Sequence, residues 1–154
     1  MEIILAENHG FCYGVKRAVE MANEAANSDG KSYTLGPIIH NPQVVGRLED
    51  KGVSPVQEVS DIEEGTMIIR SHGVGPAIYE EAEEKGLHIV DATCPHVKKA
   101  QQDAKSVIED GMTLVILGEK NHPEVKSINL WANNKGIIIE DEESAEKLQI
   151  VEKM

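Results

Sequence analysis

The sequence predicts an α/β fold in which mainly parallel strands form three-layer sheets. Three observations carry that expectation. Short apolar runs recur along the chain, segments with the apolar spacing of one helix face separate them, and proline stands near the start of four of those segments. Strands alternating with helices favour parallel pairing, because each crossover helix returns the chain across a face of the sheet.

The strand expectations, in order, are Ile3–Ala6, Ser32–Leu35, Thr66–Ile69, Leu87–Val90, Thr113–Leu117 and Gly136–Ile139. Over 14–27, Val15, Ala18, Val19, Ala22, Ala25 and Ala26 fall on one helical face; over 97–109, Val97, Ala100, Ala104, Val107 and Ile108 do the same. Further helices are expected near 42–51, 76–85, 123–132 and 142–149. Pro42, Pro76, Pro95 and Pro123 suit first helical turns, where the missing N–H leaves no bond unmade. A domain boundary is expected near Pro95. Residues 1–95 hold four strands and form one complete α/β domain. Residues 96–154 start afresh with a helix and two strands and read as a second, incomplete α/β domain without a closing strand. No Gly-, Ser- or Pro-rich linker separates them, so close packing is expected.

Composition narrows the class. Of 154 residues, 40% are hydrophobic and 27% charged, a globular balance and not a disordered one. No apolar run approaches the length that spans a bilayer. The opening MEIILAENHG has neither a basic region nor a small-residue cleavage site, so it reads as a strand, and a cytoplasmic protein without a membrane partner is expected. Fifteen Lys and Arg face 27 Asp and Glu, a net charge of −12. That argues against a nucleic-acid face, which needs basic surface to displace counterions. It leaves room for a small anion, since a few donors focused in a cleft outweigh a negative exterior. The acidic clusters at Glu80–Glu84 and Glu140–Glu143 read as solvated helix faces.

In open parallel sheets, ligands bind beyond the carboxyl ends of strands. The notable polar residues fall at those ends: Cys12 in GFCYGV, His40 in GPIIHN, His72 in RSHGVG, Cys94 in DATCPH, and His122 with Glu124 in GEKNHPEV. Each has a plain alternative. Cys12 and Cys94 are either buried reduced thiols or metal ligands; both open helices, whose dipole favours thiolate. Glu124 is either an ordinary first-turn acid or a proton donor. His9, His88 and His96 read as structural or surface residues. Gly10, Gly14, Gly73 and Gly75 allow close backbone approach. Neither GxGxxG nor GxxxxGK[ST] occurs, so a nucleotide is not indicated, and there is no GxSxG element. On the residues alone, an anion-binding module using the three histidines and a Cys₂His₂ zinc site both stay open.

Taken together, in this order and spacing, GFCYGV, IIHNP, SHGV, DATCP and NHPEV make the chain resemble the 4-hydroxy-3-methylbut-2-enyl diphosphate reductases. These are the iron–sulfur enzymes that end the methylerythritol phosphate route to isoprenoids. The resemblance runs along essentially the whole chain. It implies that Cys12 and Cys94 are two thiolate ligands of a 4Fe–4S cluster whose fourth iron is open to substrate. It implies that His40, His72 and His122 bind the diphosphate and that Glu124 helps deliver a proton to the departing hydroxyl. The reaction implied is a two-electron reductive dehydroxylation to isopentenyl and dimethylallyl diphosphates, fed by a donor such as ferredoxin or flavodoxin. Family members are longer, with three similar α/β domains. The third cluster cysteine, a relay threonine and an Asn/Ser-rich phosphate loop would lie beyond residue 154. The resemblance therefore implies an N-terminal portion, inactive alone.

Overall fold

The four prolines each begin a helix: α2 (Pro42–Glu49), α3 (Pro76–Glu84), α4 (Pro95–Glu109) and α5 (Pro123–Trp131). Two helices start without proline, α1 (Tyr13–Ala26) and α6 (Glu142–Glu146). The strands are β1 (Ser32–Leu35), β2 (Val53–Val56), β3 (Thr66–Ile69), β4 (His88–Asp91), β5 (Val115–Leu117) and β6 (Ile137–Ile139). These come from a computed structural model, which describes residues 2–7, 9–28 and 30–148. Within them no helix is long and apolar enough to cross a membrane.

The first four strands form one parallel sheet in the order β2-β1-β3-β4. Its centre is β3, where Met67, Ile68 and Ile69 are fully buried. Alternation along the strand sends them to opposite faces. Ile68 packs with Ala18, Ala22 and Ala25 of α1 and Leu48 of α2. Met67 and Ile69 pack with Ala82 of α3 and with Val59 and Ile62 around a 3₁₀ turn. Helices thus cover both faces, as an all-parallel sheet requires. The alanine stripe of α1 lets that helix approach the sheet closely. The last two strands, β5 and β6, form a separate parallel pair.

The expected strand Ile3–Ala6 is not one. Ile3, Ile4 and Leu5 are 75%, 82% and 79% exposed and pair with nothing described. An apolar run becomes a strand only where a sheet edge accepts it, and the fourth position is taken by β2. The sequence gives little warning of β2, because VSPV contains a proline. On this edge strand Pro55 is tolerated, since one side of the ladder needs no donor. The expected strands Leu87–Val90, Thr113–Leu117 and Gly136–Ile139 each begin later than their apolar runs, at His88, Val115 and Ile137. Helix α6 ends at Glu146, before the expected 149. Gln149 and the tail Ile150–Met154 lie outside the described residues, as does Met1.

Candidate functional site

The sheet order reverses direction around β1 and β3, and a crevice forms beyond strand ends where that happens. His40 and His72 leave from these two strands. Behind His40, Ile38 and Ile39 are buried anchors, while the imidazole itself is exposed. The next residue, Asn41, caps α2 by accepting from the Val44 N–H at 3.1 Å. The Ser71 hydroxyl donates to the Ile38 carbonyl at 3.3 Å, tying the loop after β3 to the loop after β1. Gly73, at φ +72°, turns the chain after His72, and its N–H returns to the Arg70 carbonyl at 3.0 Å. Ser127 of α5 donates to the His72 carbonyl at 2.8 Å and accepts from the buried Gln101 amide of α4 at 3.2 Å.

His122 is the N-cap of α5, and its Nδ1 accepts from the Glu124 N–H at 3.2 Å. In the neutral ring this leaves the proton on Nε2, where it can be donated outward. The three imidazoles form one cluster. Their ring centroids are 4.5 Å apart for His40 and His72, 5.8 Å for His72 and His122, and 6.1 Å for His40 and His122. His72 is the buried member. Desolvation, with the nearness of His40, Arg70 and His122, lowers its pKa to about 4. Its buried Nδ1 has no hydrogen-bond partner among the described residues. Near neutrality the cluster therefore contains an uncharged ring with unspent hydrogen-bonding capacity, a setting that an arriving anion would improve.

Cys12 is the N-cap of α1 and Cys94 the N-cap of α4; both are free thiols, and neither side chain caps its helix. Since Ile3–Ala6 is no strand, Cys12 follows an irregular segment, while His40, His72, Cys94 and His122 do follow β1, β3, β4 and β5. The first turn of α1 lies directly on the second thiol, because a Cβ at Gly14 would come 2.5 Å from Cys94 Sγ. The Cys94 N–H donates to the Ser71 carbonyl at 2.9 Å, which joins the thiol loop to the histidine loop.

Residues the sequence did not flag hold this loop. Asp91 accepts from the Thr93 N–H at 2.9 Å, from Tyr79 at 2.9 Å and from Lys98 at 2.6 Å. Burial alone would raise the Asp91 carboxyl; the bonds from Lys98, Thr93 and Tyr79 outweigh it and leave its pKa lowered. Burial and the neighbouring Asp91 push the Tyr79 hydroxyl above its ordinary range. From the other side Arg17 donates to the Thr93 carbonyl at 3.2 Å. Arg17 and Tyr79 lie outside the motifs, and Asp91 opens DATCP without a role of its own being legible there, so only the fold unites the three. His9, His88 and His96 are exposed and outside the cluster.

Thiolates at helix N-termini suit iron or zinc. Yet among the described residues no three of His, Cys, Asp and Glu are grouped to hold a metal ion. A Cys₂His₂ zinc site thus has no support here, and the chain fits an iron–sulfur ligand set only in part, with two thiols.

A family model described as LytB protein matches residues 3–154. The chain is 51% identical, over all of its length and 55% of the relative's, to the 4-hydroxy-3-methylbut-2-enyl diphosphate reductase of Geobacter metallireducens. It is 50% identical to that of Pelobacter propionicus, with the same coverage. A solved structure of (E)-4-hydroxy-3-methyl-but-2-enyl diphosphate reductase, described as the terminal enzyme of the non-mevalonate pathway, superposes with TM-score 0.81 at 48% identity. It is covered over 53% of its length and covers 94% of this chain. The Plasmodium falciparum reductase structure superposes at 0.89 with 31% identity, covering 94% of this chain and 46% of itself. The chain spans about half the length of the curated relatives it matches. On a match that takes in almost every residue, the chain belongs to the LytB protein family.

Proposed function

We propose that this chain is part of a reductase that removes the hydroxyl of 4-hydroxy-3-methylbut-2-enyl diphosphate, giving isopentenyl and dimethylallyl diphosphates. The observation that carries this reading is the imidazole cluster, with centroids 4.5 to 6.1 Å apart, whose buried member His72 stands on a loop bonded through Ser71 to the loop of Cys94. His40, His72 and His122 hold the diphosphate by donating N–H groups to its oxygens, and the uncharged state of His72 is relieved as the anion arrives. Glu124, half-buried in the first turn of α5, takes part in delivering a proton to the leaving hydroxyl. Cys12 and Cys94 contribute two thiolates toward a 4Fe–4S cluster, a third coming from outside this chain. When bound, such a cluster supplies electrons and Lewis acidity at the hydroxyl. A small electron carrier of the ferredoxin or flavodoxin kind completes the reaction. We also take residue 95 as a domain boundary, a division supported by the separate sheets of β1–β4 and β5–β6.

The test supplies the C-terminal part of a relative, with its own cysteine, to this chain under anaerobic conditions with iron, sulfide and a reduced donor. Consumption of the allylic diphosphate should appear in the mixture and not with the chain alone. Cys12→Ser or Cys94→Ser should abolish it. Glu124→Gln should lower kcat by about 10²-fold or more with little change in KM, as loss of a positioned proton donor does. Normal turnover by the chain alone would refute the account of the ligands.

A further inference from the structure

Beside the loop that carries His72 lies a cavity of about 320 Å³ with a different character. Arg70 and Lys126 line it together with the amide residues Gln57 and Asn121, and no carboxylate does. None of the three clustered histidines takes part in its lining. Arg70 is held there by the chain itself. Gly36, at φ +71°, lies under the guanidinium, so that a Cβ at that position would come 2.8 Å from Nη1. The Arg70 Nε is buried and has no hydrogen-bond partner among the described residues. Burial also lowers the pKa of the group from its ordinary value. Among the described residues neither Arg70 nor Lys126 takes part in an ion pair.

That arrangement is unusual for this composition. With 27 acidic residues against 15 basic ones, a carboxylate is the easiest partner for the chain to provide. Here two cations share one recess, and one of them is partly desolvated without any. Leaving a buried donor of a charged group unmade is destabilising, and an incoming anion relieves it. The guanidinium fork suits the paired oxygens of a phosphate, with the ammonium as a second point charge. Ser127 adds a hydroxyl, and an apolar part of the wall is made by Leu35, Val74 and Leu130.

We propose that the Arg70–Lys126 cavity is a second anion site, separate from the histidine cluster, that takes a small phosphate ester with a short apolar body. The phosphate lies between the guanidinium and the ammonium, and the apolar portion rests on Leu35, Val74 and Leu130. Arg70 also neighbours His72, but the proposed reductase reading has neither Arg70 nor Lys126 bind the substrate, so either can fail alone.

The experiment titrates the 154-residue chain with inorganic phosphate, n-butyl phosphate and butyrate at constant ionic strength, following the Arg70 Nε–H and Lys126 ammonium signals by nitrogen-15 NMR. Butyl phosphate should saturate both signals and bind about tenfold more tightly than either simpler probe. Arg70→Gln and Lys126→Gln should each weaken it by about tenfold or more, the loss expected for a charge-assisted bond. His72→Asn combined with His122→Asn should leave it within about twofold. The wild-type titration is informative even if the Arg70 variant fails to fold. Shifts that never saturate and are matched by chloride would overturn the site. Equal affinity for inorganic and butyl phosphate would overturn the apolar-bodied ligand. Loss of binding in the double histidine variant would move the anion to the cluster and overturn the separation.

Discussion

His72 is worked by its surroundings more than by its own chemistry. Buried among His40, Arg70 and His122, it titrates near 4, well below the ordinary 6.5. Between those two values the unfolded chain binds a proton here that the folded chain does not. Folding stability should therefore fall as pH drops through that window. Urea midpoints across it should fall less steeply for His72→Asn than for the wild type, and parallel slopes would show that the imidazole is not desolvated. Gly14 works by size. A methyl group there would lie 2.5 Å from Cys94 Sγ and 3.1 Å from its Cβ, so helix and thiol cannot both stay. Gly14→Ala should cost about 1–3 kcal/mol, the usual range for overpacking. It should also speed alkylation of Cys94 relative to Cys12 in the native protein. Unchanged reactivity would mean that the helix, and not the thiol, gives way.

At the scale of elements, the strength of each local signal decided what could be read from sequence. Proline at a helix start fixes φ and gives up a donor that has no partner there, so four helix beginnings were legible almost to the residue. Strand signals were weaker, because an apolar run does not say whether an edge awaits it. Ile3–Ala6 had the run without the edge, and Val53–Val56 had the edge without the run. The motif residues at strand ends were legible because loops collect there. Arg70, Arg17 and Asp91 were not, since their importance lies in tertiary neighbours. The central strand should dominate the energetics. Ile68, fully buried between β3 and the alanine face of α1, should cost about 2–5 kcal/mol when cut to alanine, measured by urea unfolding. A smaller cost would mean that α1 closes onto the vacated space.

Across the whole molecule, burial is uneven. The centre of the four-stranded sheet is sealed on both faces, whereas in the β5–β6 pair Val115, Leu117 and Ile137 are all exposed. Amide hydrogen exchange should therefore be slower by orders of magnitude in β3 than in β5 and β6, since opening free energy follows buried apolar contact. Comparable protection in both sheets would contradict that picture. The bond from Arg17 to the Thr93 carbonyl carries a further consequence, which concerns time. It joins residues 76 positions apart, and the loop it steadies carries Cys94. A ribosome adding roughly 5–20 residues per second needs roughly 4–15 s to make that stretch. Through this interval the first helix exists without the carbonyl it will clasp, and the earlier cysteine without the later one. The N-terminal thiol is thus the older and longer-unguarded of the two, open to whatever oxidant or metal the growing chain meets before its second half arrives.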